Sequence, residues 1–458
     1  MAQLHDLTAL EQAAAIRRGE LTSVELTEHY LSRTERLDLV VGAFITTTAE
    51  LAVAQARRAD AAVRAGADIG PLHGTVVPVK DLHEVAGVPT SYGSRVLGSV
   101  AQADEESVAR MRAAGLVFTG KTNTPELGLP SYTCNELVGP ARCPWELDRS
   151  AGGSSGGAAA AVAAGLASAA HGSDGGGSLR IPASACGLVG FKPSRGLVSN
   201  APRVDRPGEL VVQGPVARTV ADAAALLDVL AGTGVQHQQA AARQPPPLRI
   251  GLLLQPVLAD VVVDEECRSA AQDAAAMLAT LGHRVGEVDR PFGPEVLPQF
   301  QTIWSALAAS IDVPAQLEPQ LAPLTRWLRA EGRGVSVAAL RAAVEAVRML
   351  AAATTERWAE LDAVVTPTVA EPPPLLRDLP YDADPAADFA AQTRFTPWTS
   401  LANMTGAPAV SLPLSRSRSG LPIGVQLIGR QGADAALIAV AAQVAAAVGP
   451  DGRRPGMW

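Results

Sequence analysis

The sequence predicts an α/β fold around a largely parallel or mixed β-sheet. Two observations carry that expectation. Short apolar runs of strand character alternate with helix-periodic stretches along the chain. Hydrophobic residues make up 47% of the 458 positions and charged ones 18%, enough apolar side chain for a large core. A chain of this length holds roughly two to four average domains, or one large α/β unit.

The elements follow in order. Thr8 with Glu11, and Thr22 with Glu25, form capping-box patterns, so two helices open the chain. A strand at 43–47 precedes a third helix through Gln55 and Ala62. Strands recur at 75–79 and 116–119, with a helix near 105–114 between them. Glycine, serine and alanine dominate from 152 to 190, where two glycine runs bracket a helix at 158–169. A helix at 219–230 ends at Gly232. Residues 236–247 are polar and proline-rich and read as a surface linker between a core region, 1–235, and the rest of the same core, 248–458. The second part predicts a strand at 248–254, an amphipathic helix at 265–281, a helical lobe near 290–360, a buried strand at 361–366 and a closing helix at 433–447.

Composition excludes several classes. Of the 38 basic residues only Lys80, Lys121 and Lys192 are lysine. The formal net charge is -8, and the arginines are scattered, which argues against a nucleic-acid surface. No apolar run reaches the length of a membrane span, and the N-terminus lacks a basic-then-apolar leader pattern. Cys134, Cys143, Cys186 and Cys267 lack C-x-x-C spacing, and no H-E-x-x-H occurs. Reduced thiols in a cytoplasm, with no metal and no cofactor, are the expectation.

The glycine-rich half carries the chemistry. Tight turns and close helix packing would explain the glycines plainly. A phosphate loop is disfavoured, because neither run fits G-x-x-x-x-G-K-[ST]. Gly152-Gly153-Ser154-Ser155-Gly156 formally matches a nucleophile elbow, but the histidines that follow, His171, His237 and His283, stand in no recognisable setting. A further reading centres on Ser178. Gly175, Gly176 and Gly177, with Ser178 itself, let successive backbone N–H groups converge on one point, as an oxyanion hole beside a serine nucleophile requires. Such a serine needs a base, and a lysine serves only where burial populates the neutral amine. Arginine cannot do this. Lys80 lies at the end of a strand, where it would face a cleft.

The chain resembles the amidase signature hydrolases. The resemblance rests on Gly70-Pro71-Leu72-His73-Gly74 leading into Val77-Pro78-Val79-Lys80-Asp81, on Gly120-Lys121-Thr122-Asn123, and on the glycine runs with Arg180, Pro182-Ala183-Ser184 and Cys186-Gly187-Leu188-Val189-Gly190-Phe191-Lys192-Pro193. Gly214-Pro215-Val216-Ala217-Arg218, Asn403-Met404-Thr405-Gly406 and Gly420-Leu421-Pro422-Ile423-Gly424-Val425-Gln426 extend it. The match is dense over 20–235, moderate over 360–450 and negligible over 256–360. It implies a mixed central β-sheet flanked by helices on both faces. It also implies a triad of Ser178 as nucleophile, Ser154 as relay after a cis Gly153–Ser154 bond, and Lys80 as base. Ser155 would hydrogen-bond within the triad, and Asp174 and Arg180 would brace the oxyanion loop. Lys121 and Lys192 lie in the same blocks and are expected in a buried ion pair or a backbone-carbonyl contact, and Cys186 as a packed thiol.

The resemblance implies an amidase acting on a small-molecule amide, as a monomer or homodimer. The alternative is the amidase component of a tRNA-dependent amidotransferase. Against it, Ile181 follows Arg180 where that component usually carries glutamine, and Leu210-Val211-Val212-Gln213 lacks its aspartate–glutamine pair. An acyltransferase or esterase would use the same acyl-enzyme. Gly175, where many relatives carry threonine, looks closer to members that cleave aryl, alkyl or cyclic-oligomer amides. Phe300, Trp304 and Trp327 in the unmatched segment are expected to line or cover an acyl pocket that takes a neutral, partly apolar group.

Overall fold

A computed structural model describes residues 3–67, 69–202, 207–379, 384–449 and 452–458. Helices α1 (Ala9–Arg17) and α2 (Ser23–Val41) start where the capping boxes put them. At each, the threonine hydroxyl accepts the N–H of the glutamate three residues on, and that carboxylate accepts the threonine N–H. Strand β1 (Phe44–Thr47) and helix α3 (Ala49–Arg64) follow. β1 pairs antiparallel with β3 (Gly120–Thr122), which pairs parallel with β2 (Val79–Lys80). The strands expected at 75–79 and 116–119 touch first at one bridge, Val76 to Val117, and pair regularly only from Val79 and Lys121. Helix α4 (Glu106–Ala113) lies between them in sequence.

Eight more strands form the main sheet: β4 (Ala169–Asp174), β5 (Val189–Lys192), β6 (Val212–Ala217), β7 (Arg249–Leu252), β8 (Arg284–Glu287), β9 (Ala363–Pro367), β10 (Ala409–Arg416) and β11 (Pro422–Gly429). Their order is β4-β6-β5-β10-β11-β9-β7-β8. β7 is parallel to both of its neighbours and the other pairs are antiparallel, so the sheet is mixed. The His171 N–H donates to the Pro78 carbonyl at 3.0 Å, which sets the small sheet along the β4 edge.

The remaining helices are α5 (Gly156–Ala163), α6 (Arg180–Cys186), α7 (Val220–Ala231), α8 (Gln236–Ala241), α9 (Glu265–Thr280), α10 (Leu297–Ala309), α11 (Pro323–Gly334), α12 (Val337–Arg357), α13 (Pro385–Phe395), α14 (Thr399–Thr405) and α15 (Asp434–Val448). Side chains along the strands alternate between the sheet's two faces, one packed on a single core and the other on two, as a sheet covered on both faces requires. Ala169, Ala217, Val365, Val410 and Leu427 join one core with α4, α7, α9 and α15. Their neighbours face the other way. Ala170 and Val216 pack with α2, α3, α5 and α6, while Val364, Ala409 and Ile428 pack with α10, α11, α12 and α14. The chain therefore has the α/β architecture expected, with helices on both faces.

Two expected boundaries differ. The helix at 158–169 is the shorter α5, because Gly165 takes a left-handed φ of 66° and the chain then opens β4 at Ala169. The linker at 236–247 begins instead as α8. Its N-terminus is held by the buried Asp228, whose Oδ1 accepts the His237 N–H at 3.0 Å and lies 2.8 Å from the His237 ring. Strands from before and after this segment share the main sheet. No helix among the described residues is long and apolar enough to cross a membrane.

Candidate active site

The loop after β2, the turn into α5 and the loop after β4 converge behind the main sheet's β4 edge. Lys80, the last residue of β2, is fully buried. Its Nζ lies 2.8 Å from Ser154 Oγ and 2.9 Å from Ser155 Oγ, with the Ser173 carbonyl at 3.4 Å. No carboxylate among the described residues touches the amine. Burial therefore lowers its pKa from 10.5 to about 7, with the charge of Asp174 pulling weakly the other way.

The Gly153–Ser154 peptide bond is cis. Gly153 admits no side chain, because a Cβ there would lie 2.5 Å from the Tyr132 carbonyl group. Ser155 ties the two loops together: its N–H donates to the Ser178 carbonyl at 3.2 Å, and its hydroxyl donates to the Ser173 carbonyl at 3.0 Å. The Ser178 hydroxyl makes no hydrogen bond to the described residues and lines a cavity.

Asp174 and Arg180 hold the loop between them. The Asp174 carboxylate accepts the Gly177 N–H at 2.7 Å, the Leu179 N–H at 3.1 Å and two Arg180 N–H groups at 3.0 and 2.9 Å. Burial opposes the charge of Asp174, but the Arg180 guanidinium outweighs it and holds the pKa at about 2. These bonds correct one expectation. The Gly177 N–H is committed to Asp174, so it does not point at an incoming oxyanion. Gly177 serves the loop's shape instead, with φ at 133° and Thr399 Oγ1 2.5 Å from where a Cβ would sit. The amides of Gly175, Gly176 and Ser178 remain without a backbone partner among the described residues.

Three residues enter this network without having been assigned a role from sequence. Arg180 Nη1 donates to the Thr399 carbonyl at 2.7 Å and to Gln426 Oε1 at 2.6 Å, and its Nη2 donates to Asn403 Oδ1 at 2.8 Å. Asn403 Nδ2 donates back to the Asp174 carboxylate at 2.9 Å. The signal was present: Asn403 and Gln426 are the amide side chains inside two largely apolar resemblance blocks. The other lysines behave as expected. Lys121 Nζ pairs with Asp81 Oδ1 at 2.8 Å, and Lys192 Nζ donates to the Pro193 carbonyl at 2.8 Å. Burial, reinforced by Arg180, lowers Lys192 to about 7 as well, but no hydroxyl among the described residues stands against its amine. Cys186 is a packed thiol, with Sγ 3.7 Å from the Ala151 carbonyl and a pKa raised by burial.

The cavity in front of Ser178 holds about 50 Å³. Leu129, Ile181, Leu258, Leu297, Phe300, Trp304 and Phe389 form its apolar wall. Ser131, Gln392, Thr393, Thr396 and Ser400 supply the polar groups, and no charged side chain among the described residues lines it. Trp327 does not reach the wall. Its ring packs instead on Phe389, with centroids 5.8 Å apart. No group of three or more metal-ligating side chains occurs among the described residues.

A family model described as Amidase matches residues 25–438. The chain belongs to the amidase signature family. That family places it among enzymes that hydrolyse amides. It is 36% identical to the 6-aminohexanoate-cyclic-dimer hydrolase of Paenarthrobacter ureafaciens, covering 98% of this chain and 96% of that one. A solved structure of a 6-aminohexanoate cyclic dimer hydrolase superposes with a TM-score of 0.90 at 33% identity, over 100% of both chains. One component of the glutamyl-tRNA(Gln) amidotransferase of Chromohalobacter salexigens is 35% identical, with 96% of each chain covered.

Proposed function

We propose that this amidase cleaves the carbon–nitrogen bond of a neutral, partly apolar carboxamide through an acyl-enzyme on Ser178. The observation that carries the reading is the buried Lys80 amine, poised near neutrality with two serine hydroxyls against it. Neutral Lys80 accepts the Ser154 proton, Ser154 accepts that of Ser178, and Ser178 Oγ bonds to the carbonyl carbon. The developing oxyanion meets the N–H groups of Gly175, Gly176 and Ser178. As the tetrahedral intermediate collapses, the carbon–nitrogen bond breaks. The leaving nitrogen takes the proton back through Ser154 and departs as amine or ammonia. Water repeats the relay to release the acid and restore Ser178.

The uncharged wall supports a neutral acyl group, and the cyclic-dimer relative's named substrate is an amide of that kind. The likeness to an amidotransferase component supports a second reading, glutaminase activity within a larger complex. Free glutamine would bring an ammonium and a carboxylate into a cavity where no described charged side chain receives them. Hydrolysis of a neutral amide is therefore favoured.

A fluorophosphonate probe tests the triad. It should label Ser178, Ser178→Ala should abolish labelling, and Lys80→Ala should remove turnover without unfolding the protein. Turnover that survives Lys80→Ala overturns the base assignment. A panel of anilides, primary amides, carbamates and cyclic amides tests the substrate class, and a preference for dicarboxylic or phosphorylated amides would contradict it.

A further inference from the structure

We infer that Trp304 sets the length limit of the acyl group, and that position 175 is glycine to seat its indole. This rests on the reading of Ser178 as the acylated residue. Gly175 is not required by its backbone, since its φ is outside the left-handed region that Gly177 occupies. Packing requires it. A Cβ at 175 would lie 2.9 Å from both Cη2 and Cζ3 of Trp304, closer than such atoms approach, and 3.1 Å from Val211 Cγ2.

The neighbouring ring repeats the contact. Phe300 and Trp304 lie one helical turn apart on α10 and stack at 5.7 Å between centroids, 15° from parallel. Phe300 Cζ stands 3.4 Å from where a Cβ at Gly176 would be. Two aromatic edges thus rest on consecutive residues of the loop that ends in Ser178. Both rings line, together with Ser178, a cavity of about 50 Å³, room for a few water-sized groups. The acyl groups it admits are short, unbranched and neutral, and a longer chain runs into the indole.

The test compares short and long acyl groups by two independent readouts. One is the rate at which ethyl and octyl fluorophosphonates label Ser178, and the other is hydrolysis of acetyl and octanoyl p-nitroanilides. The unmodified protein should prefer the short member of each pair. Trp304→Leu should raise the long-to-short ratio by roughly tenfold or more, the scale on which apolar pockets discriminate. Gly175→Ala should slow labelling by both probes, because its methyl displaces the indole or the loop. The double variant should recover most of that loss, since the smaller side chain makes room for the methyl. An unchanged ratio in Trp304→Leu, or a double variant as slow as the two single losses combined, overturns the inference. Should Trp304→Leu fail to fold, Trp304→Phe carries the same comparison. Absence of Ser178 labelling in the unmodified protein would remove the proposed nucleophile, and this inference with it. Labelling that shows no chain-length preference in the unmodified protein overturns the inference alone.

Discussion

A lysine amine without a carboxylate partner is buried at a cost that falls on its charged form, and Lys80 shows this with a pKa lowered to about 7. In the proposed mechanism the amine must be neutral, so kcat/KM should rise with pH through about 7 and level off above it. Asp174, held at about 2 by Arg180 against burial, stays charged over this range, and His171, lowered by burial to about 3, stays neutral. Lys192 titrates near the same value, and it is separated by substitution. A Lys192→Met protein should keep the acid limb, and a profile that goes flat in that variant would reassign it. Lys80→Arg should lose turnover at every pH, because a guanidinium keeps its proton. The proposed nucleophile and base were readable from the glycines before Ser178 and from a rare lysine at a strand end, whereas the proposed relay, Ser154, came only from the family resemblance. The direction of the Gly177 amide was not readable, since it depends on where Asp174 points. Nor were the partners of Arg180 other than Asp174, which lie 219 to 246 residues away in sequence.

At the scale of elements, the segment from β4 through α6 concentrates the site. β4 delivers Asp174, the glycines curl the loop, and α6 returns Arg180 to clamp its start. Removing one side of a buried, hydrogen-bonded pair strands the other. Arg180→Met should therefore destabilise the protein by about 3–5 kcal/mol and abolish turnover. Asn403→Ala, which removes a neutral side chain's hydrogen bonds to the Asp174–Arg180 pair but leaves the pair itself, should cost about 1.5–3 kcal/mol. Urea denaturation measures both, and the ranking is the prediction: an asparagine variant as unstable as the arginine one would contradict it. The same elements show why part of the fold escaped the sequence. β6 contains Pro215, β10 contains Pro413, and β11 opens on Pro422 with Gly424 two residues on. Proline and glycine argue against sheet interiors, yet Pro215 pairs with His171 on the edge strand β4 and the strands form. By contrast, α1 and α2 were readable because a capping box is local. Tertiary pairing overrode local preference at the sheet's centre and had nothing to override at the helix starts.

At the scale of the whole molecule, Lys80, Ser154 and Ser178 come from the first part of the chain, while much of the apolar wall comes from the helices of the lobe. The lobe's own packing depends on close helix contact. A Cβ at Gly332 on α11 would lie 2.0 Å from the Ser305 carbonyl oxygen on α10, next to Trp304. Gly332→Val should push the two helices apart, cost about 1–3 kcal/mol and hasten limited proteolysis within the lobe. Fluorophosphonate labelling of Ser178 should persist. Loss of labelling would mean that the lobe shapes the catalytic loops as well as the pocket. The helical character of this lobe was readable from its shortage of glycine, and its aromatic contacts with the glycine loop were not, because they join residues far apart in the sequence, Trp304 with Gly175 and Phe300 with Gly176.

The three lysines also have a consequence for protein chemistry. Lys80, Lys121 and Lys192 are 0, 1 and 0% exposed, so the folded surface carries its positive charge on guanidinium groups and offers no lysine amine. An amine-selective acylating reagent should leave the lysine side chains of the native protein untouched and modify all three once the chain opens. Lysine uptake of such a reagent, followed by mass spectrometry, would then serve as a clock for unfolding. A label found on Lys80 alone would mark an opening confined to the site.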